Sequence, residues 1–500
     1  MSLYAACGAA LSFYCLFPLF RSNLISVNML FVPLFLVTVL LCLFRTLASY
    51  PLLSNEMPKT IRLLKSAPSR VTALAVGLVL GIGAGTSIQA GVVFAVPRAG
   101  IYGITGTLLE DPRIVSGGRA MATLSLRMTS SEGGVRATAR GEIAVFFPEE
   151  IAGRLQEFGR GTQVAAEGYL RVPAGGRFDT YIFSADSLHI TKPAPPLERF
   201  RTGLRLSLIR RFSRPDSAAP WGGLAQSLLL GVRDNLDSGF AVSYREAGCS
   251  YILALSGMHL AVLTALISLL LKRAFGLRIA AITGALIIIV YCFLVGPFPS
   301  LNRSALMYLL GVMAVLGMLK REPFSLLCLA FIIQLIVTPQ AGFSISFMLS
   351  YLALAGIVIT GGMLGRIFKG KIPNLLLFPL SASIGAFIAT AGVTVNYFDI
   401  LRPVGLVAGI VLAPLATPFM VGSILWLVLD LISPVISSVL DWPLSLLYIL
   451  MEKTASLAAF VPGFKTDLRL TIWLSLAVIV LITWFDFRKK AAASRLENFA

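Results

Sequence analysis

A serine and a histidine three residues apart are the first candidates for chemistry. Ser256 and His259 lie in a long apolar segment, and residues at positions i and i+3 share one face of a helix. This spacing rarely aligns a nucleophile with its base, and no carboxylate that could orient the histidine lies nearby in sequence. We therefore expect no hydrolytic chemistry. The histidine is either a functional group inside a membrane or a neutral imidazole that hydrogen-bonds to a neighbouring helix.

An arginine at the start of a later apolar segment is the second candidate. Arg303 follows Asn302, and its planar fork suits phosphate oxygens. The alternative is an interfacial anchor that extends its charge towards the membrane surface. Small residues at Gly257, Ser346 and Ser350 could line a pore, although close helix packing is their commoner use.

Arginines and aromatic residues also occur together outside the apolar segments. One group contains Arg171, Arg177 and Tyr181, and such a set on a barrel face suits single-stranded nucleic acid. The alternative is that the aromatic residues form a barrel core. A second group alternates arginines with apolar residues, which favours a membrane interface or a polyanion. Its candidate contacts are Arg199, Arg201 and Arg205.

The sequence offers little for a cofactor. The two histidines are too few for a histidine-based metal centre, and the six cysteines include no C-x-x-C pair. No G-x-x-x-x-G-K-[ST] phosphate loop occurs. We therefore expect no cofactor, no metal and no enzymatic activity.

The composition predicts that most of these residues are embedded in a membrane. The 500 residues are 57% apolar and only 13% charged, whereas soluble chains are about a quarter charged. The net charge of +18 fits the excess of Lys and Arg in the cytoplasmic loops of multi-span proteins. A polyanionic substrate or anionic lipid is the alternative explanation.

Apolar runs predict a polytopic α-helical membrane protein with about 12 spans. Lys and Arg between these runs place both termini in the cytoplasm and residues 98–240 on the opposite side. The predicted spans lie near 4–20, 24–48, 70–96, 248–271, 279–297, 303–319, 323–338, 343–364, 373–396, 403–429, 432–450 and 468–486. They form an N-terminal group within 1–97 and a larger domain at 221–486, followed by a basic cytoplasmic tail at 487–500.

Residues 98–195 have the pattern of a small β domain. Five runs alternate apolar and polar residues, and an amphipathic helix at 149–158 separates the third run from the fourth. This order predicts an OB-fold barrel, with a generic β sandwich as the alternative. The strand-like runs are 100–109, 120–129, 141–147, 162–172 and 178–189. A basic amphipathic linker helix is predicted at 196–220.

The order of motifs after residue 228 resembles the ComEC-type competence family. The first stretch contains an A-G-x-S-Y-x-L-A-L-S-G-x-H sequence, which begins at Ala247. Later matches are Ser300, Arg303, Ser304 and Met307; then Pro339, Phe347, Leu349, Ser350 and Tyr351; then Phe398, Pro403, Val404, Pro414 and Leu415. Gly409 departs from the family, which usually has Asn shortly before the later proline. The metal motif of the metallo-β-lactamase-like domain found in many members is absent from this sequence.

The resemblance implies an inner-membrane channel that takes single-stranded DNA into the cytoplasm during natural transformation. It implies a periplasmic OB-fold domain, a separate cytoplasmic motor or single-strand-handling proteins, and a periplasmic DNA receptor, with oligomerisation left open. The residues that we assign to the path or gate are Ser256, Gly257, His259, Arg303, Ser346 and Ser350. The alternatives are a small-molecule or lipid transporter with this membrane fold and a scaffold that does not conduct.

Overall fold

A computed structural model describes the β domain, the linker and most of the larger helical domain. The described residues are 6–7, 9–10, 76–83, 93–94, 100–114, 119–131, 135–148, 158–171, 181–213, 220–255, 257–296, 298–317 and 322–497. The three N-terminal predicted spans and the predicted helix at 149–158 therefore lie wholly or mostly outside the described residues, as do Ser256 and Arg177.

Five strands close into a small barrel, which confirms the predicted β domain. The barrel strands are β1 (Ile101–Leu108), β2 (Ala120–Ser131), β3 (Glu142–Phe147), β4 (Gln163–Arg171) and β5 (Ile182–Lys192). β1 pairs antiparallel with β2 and β4, β2 with β3, and β4 with β5. A parallel pairing of β3 with β5 completes the ring. The generic sandwich alternative does not fit this closed circuit.

Alternation of side chains explains why these strands form a barrel. In β3, every second side chain is buried, and Phe147 and Phe183 on the parallel closing strands are fully enclosed. Gly168 allows β4 to approach β5 closely, because a Cβ atom there would lie 2.0 Å from the carbonyl oxygen of Ser184. Short strands also occur at Val93–Phe94, Arg113–Ile114 and Arg136–Arg140, and the last of these precedes β3.

Three helices follow the barrel, and they are α1 (Pro196–Phe212), α2 (Trp221–Leu230) and α3 (Ser238–Glu246). α1 links the barrel to the larger helical domain, which we call the membrane domain, and α2 and α3 are the first helices of that domain. Asp237 caps α3 by accepting a hydrogen bond from the backbone N–H of Phe240 at 2.7 Å. A one-turn helix at Ser250–Leu253 follows, and the chain is not helical at Ala254 and Leu255.

The remaining helices overlap the predicted spans, some closely and some shifted or merged. They are α4 (Gly257–Val295), α5 (Pro299–Val315), α6 (Pro323–Val337), α7 (Ile345–Gly356), α8 (Asn374–Phe398), α9 (Val404–Ile432), α10 (Asp441–Ala459) and α11 (Leu468–Glu497). A π-helical segment (Ile357–Gly361) and the helix Gly362–Phe368 continue α7. α11 runs through most of the segment that was predicted as a tail. Short 3-10 helices lie at Pro339–Phe343 and Ser438–Leu440, and a one-turn α-helix lies at Pro434–Ser437. A two-stranded antiparallel pair joins Ile400–Leu401 to Phe464–Lys465.

Fewer helices qualify as membrane spans than the sequence predicted. Among the described residues, five helical segments are long and apolar enough to cross a membrane, so the prediction of about 12 spans is not supported. Two predicted spans form one 39-residue segment, α4, which is broken at Gly276 with a φ of 78°. α5 and α6 have 17 and 15 residues, which is short for a bilayer crossing.

The membrane domain packs inwards through a core of aromatic residues and leaves apolar side chains on its outer surface. Trp221 of α2 contacts Trp426 of α9 edge-to-face, with ring centroids 5.2 Å apart. Phe240 of α3 stacks on Tyr448 of α10. Many large apolar residues of the candidate spans are exposed, such as Leu269 at 76%. Lipid is the solvent that such a surface requires.

Candidate functional site

The first turn of α5 faces the break that precedes α4. The Ser300 hydroxyl donates a hydrogen bond to the carbonyl oxygen of Leu255 at 2.5 Å, inside this break. A Cβ atom at Gly257 would lie 2.9 Å from Ser304 Oγ and 3.5 Å from Arg303 Nη2. The absence of a side chain at Gly257 therefore lets α4 and α5 approach closely. Broken helices of this kind supply polar backbone groups inside membrane proteins.

Arg303 lies inside the helix bundle. Its side chain is buried, Nη1 donates to the carbonyl oxygen of Ser350 at 2.6 Å, and Nη2 donates to Ser304 Oγ at 3.2 Å. Within the described part of the chain, Arg303 forms no salt bridge and its Nε has no hydrogen-bond partner. Such burial does not fit the interfacial-anchor alternative. A buried cation without a carboxylate is costly unless an anion can reach it.

A glutamine holds the helices around Arg303 in place. Gln334 of α6 is buried, and its Nε2 donates to the carbonyl oxygen of Pro299 at 3.2 Å. Tyr351 of α7 donates its hydroxyl to Gln334 Oε1 at 2.8 Å. The Tyr351 ring centre lies 5.8 Å from the Arg303 guanidinium carbon. Three helices therefore meet at this cluster, and Gln334 is a residue that our sequence reasoning missed.

The structure places the other predicted path residues at different depths. His259 is buried in the first turn of α4, two residues after Gly257. Ser350 contributes its backbone carbonyl to Arg303, whereas Ser346, one turn earlier on α7, is exposed. Gly257, Arg303 and Ser350 are thus brought together. Ser256 lies outside the described residues.

The arginines of α1 bind the barrel. Asp111 lies in the turn after β1, and its carboxylate accepts a hydrogen bond from Arg205 Nη1 at 2.9 Å. It also accepts hydrogen bonds from both Nη atoms of Arg201 and from the backbone N–H of Arg160. Burial opposes the ionisation of Asp111, but the two guanidiniums outweigh it and hold the pKa of Asp111 below its ordinary value. Glu198 also accepts from Arg201, at 2.7 Å. The barrel is therefore fixed to α1 by a buried ionic network.

The same two arginines reach the ends of helices in the membrane domain. Arg201 Nη1 donates to the carbonyl oxygen of Leu294, in the last turn of α4, and Arg205 Nη2 donates to that of Leu230, at the end of α2. Cations stabilise helix C-termini in this way. Arg201 and Arg205, which we predicted as DNA contacts, thus bind groups inside the protein. Arg199 is exposed.

On the barrel, the predicted aromatic and arginine candidates separate into two kinds. Tyr181 is 3% exposed and belongs to the core. Arg171 is exposed, donates to the Tyr169 hydroxyl at 2.7 Å and lies over its ring at 4.8 Å. Tyr169 is itself 44% exposed. An exposed arginine and an aromatic ring are therefore adjacent at the end of β4.

A second ion pair joins α1 to the membrane domain. Arg211 Nη1 donates to Asp430 Oδ2 at 2.7 Å, at the end of the candidate span α9. The Asp430 side chain is fully buried, and Ser437 Oγ donates to it at 3.3 Å. Charged residues at such positions are rare, and they almost always pair with another charged or polar group. Within the described residues, no cluster of His, Cys, Asp or Glu is arranged to hold a metal.

Comparison with known proteins identifies the family. The sequence profile described as "Competence protein" matches residues 228–490, more than half of the chain. The chain belongs to the Competence protein family. The match begins within α2 and includes the break before α4, Arg303, Gln334 and Asp430. The cluster around Arg303 is therefore part of the family's own domain.

One curated relative matches a shorter part of the chain. "ComE operon protein 3" of Bacillus subtilis (strain 168) is 27% identical over 173 residues, which is 34% of this chain. The match covers 22% of the relative's length. This similarity supports the resemblance to the ComEC-type family.

Proposed function

We propose that this protein passes single-stranded DNA across the inner membrane during natural transformation. The observation that carries the proposal is the buried Arg303, which has no carboxylate partner among the described residues, inside the domain that the Competence profile matches. DNA presents one phosphate per nucleotide, and the guanidinium fork suits phosphate oxygens. The protein acts as a conduit and not as an enzyme.

The proposed path passes the break before α4. Gly257, His259, Arg303 and Ser350 line or control it, and Gln334 positions Arg303 through Pro299 and Tyr351. Ser256 and Ser346 belong to the same proposed path. An incoming phosphate would satisfy the unfilled donor of Arg303.

The barrel would receive DNA on the periplasmic side. Its ring order of β1, β2, β3, β5 and β4, with one parallel pairing between β3 and β5, supports an OB-fold. The exposed pair of Tyr169 and Arg171 supports contact with bases and phosphates. Cytoplasmic motor or single-strand-handling proteins and a periplasmic receptor complete the proposed system, in which the chain could also oligomerise.

Two other functions compete with this proposal. A small-molecule or lipid transporter could use the same membrane fold, and a scaffold could support other competence proteins without conducting. Arg303 would also serve a transporter of small anions. Transport of a long polyanion such as DNA therefore favours the channel, whereas transport of small anions alone favours the transporter.

Complementation of a deletion strain tests the proposal. We expect this chain alone to restore both transformation and the appearance of labelled single strands in the cytoplasm. Restoration of transformation without labelled strands would favour the scaffold. Uptake of small anions without DNA would favour the transporter.

A further inference from the structure

A cleft lies where the barrel meets the membrane domain. We call it the junction cleft, and both parts of the chain line it. Its main lining residues are Glu110, Arg113 and Arg160 from the barrel, and Asp234, Gly296 and Phe298 from the membrane domain. Phe298 directly precedes α5, which carries Arg303 five residues later. The cleft therefore opens beside the start of the proposed path.

The arginines of this cleft fall into two layers. Arg201 and Arg205 form the inner layer, where the side chains are 2% and 14% exposed and bind Asp111. Arg113 and Arg160 form the outer layer, with side chains 44% and 38% exposed. Arg160 pairs with Glu198, which also binds Arg201, so only Arg113 of the outer layer can reach a ligand without breaking the buried network.

Arg113 is placed to bind a phosphate beside an aromatic ring. Its guanidinium carbon lies 4.8 Å from the centre of the Phe298 ring, and Nη2 pairs with Glu110 at 2.5 Å. An exposed ion pair of this type contributes little to stability, so a phosphate can replace Glu110. The half-buried Phe298 offers a face on which a base can stack.

A second arginine, Arg233, lies beside the cleft, although it is not itself a lining residue. Arg233 is exposed on the loop between α2 and α3, and its neighbours Val232 and Asp234 line the cleft. The residue as a whole is exposed, but partial burial of its guanidinium and the charge of Arg113 both lower the pKa of Arg233. Within the described residues Arg233 has no carboxylate partner. A bound anion would relieve the repulsion between the two arginines.

We propose that the junction cleft binds the backbone of single-stranded DNA through Arg113 and Arg233, with Phe298 as a stacking surface. The proposal rests on the proposed function and adds the place where the strand leaves the barrel. It also assigns different roles to arginines that look alike in sequence. Arg201 and Arg205 hold the barrel, and Arg113 and Arg233 hold the substrate.

Binding by the full chain in lipid nanodiscs tests the proposal. The probe is fluorescent oligothymidine of about 20 nucleotides, titrated at several salt concentrations. We expect the double variant Arg113→Gln/Arg233→Gln to bind at least about 10-fold more weakly. The slope of log affinity against log salt should fall by about 1.4, since each phosphate contact to a single strand contributes about 0.7. The matched control is Arg127→Gln, an exposed arginine of β2 that does not line the cleft.

Two further outcomes separate this proposal from the one on which it rests. If the wild type binds and transforms but the double variant matches it in affinity and salt slope, the cleft assignment is wrong and the proposed function stands. If the wild type neither binds the oligonucleotide nor restores transformation, both fail. Phe298→Leu, which keeps apolar bulk, should weaken binding about 10-fold by loss of stacking. Unchanged affinity would remove Phe298 from the site.

Discussion

Replacement of Asp111 by Asn should release the barrel from the membrane domain. The carboxylate of Asp111 accepts bonds from Arg201, Arg205 and the backbone N–H of Arg160. Removal of one partner from a buried ion pair costs about 3–5 kcal/mol. Because Glu198 would still pair with Arg201, we expect the lower end, about 3 kcal/mol. Local opening of α1 should then become about 100-fold more frequent.

Hydrogen exchange of the full chain in nanodiscs measures this opening. In Asp111→Asn, the amides of α1 should exchange about 100-fold faster than in the wild type. Arg113→Gln is the control, because it breaks an exposed pair that contributes at most about 1 kcal/mol. If exchange in Asp111→Asn stays within about threefold of the wild type, the ionic network does not hold the barrel.

The same network has a defined pH dependence. The folded pKa of Asp111 lies below its ordinary value, so the ion pair contributes its full stability at every pH above about 4. Its contribution should be lost only as the pH falls below that range, through the folded pKa. Exchange of α1 in the wild type should therefore be as slow at pH 5 as at pH 7 after correction for the intrinsic rate. A large acceleration between these two pH values would contradict the assigned pKa.

Three other predictions concern the barrel, the topology and the second ion pair. Residues 98–195 expressed alone should give the far-UV spectrum of a β barrel without metal or disulfide, and a helical or disordered spectrum would disprove this. Reporter fusions at Gly118 and Ala500 should report opposite sides of the membrane, and the same side for both would be inconsistent with the predicted topology. Arg211→Asp and Asp430→Arg should each lower membrane abundance, and the double exchange should restore it if the pair itself matters.

The sequence predicted the positions of strands and helices better than the contacts between their side chains. The β1 and β3 bounds differ from the predicted runs by at most one residue at each end, because strict alternation of apolar residues marks a strand that is buried on one side. The helices α8 and α9 likewise lie within three residues of their predicted ends. Hydropathy therefore located the segments. Among the described residues, it overestimated how many segments are long enough to span a membrane.

The spacing of apolar residues does not predict which residues far apart in sequence contact each other. Asp111 and Arg201 are 90 residues apart in sequence, and Arg211 and Asp430 are 219 apart. From the sequence, the arginines of α1 were therefore predicted to bind DNA, although Arg201 and Arg205 bind Asp111 of the barrel. Gln334 gave only one signal, which is an amide within an apolar run. Like His259, Gln334 is a polar residue within an apolar segment, and such residues often have a functional role.

In the proposed mechanism Arg303 contacts DNA during transport, and uptake of labelled DNA at matched protein abundance tests this contact most directly. Arg303→Ala should abolish cytoplasmic single strands while the protein remains in the membrane. Arg303→Lys should restore transport only in part, because lysine keeps the charge and loses the fork. We expect His259→Ala to abolish uptake as well. Wild-type uptake by Arg303→Ala at wild-type abundance would contradict the account, and so would a loss of uptake that only follows a loss of protein.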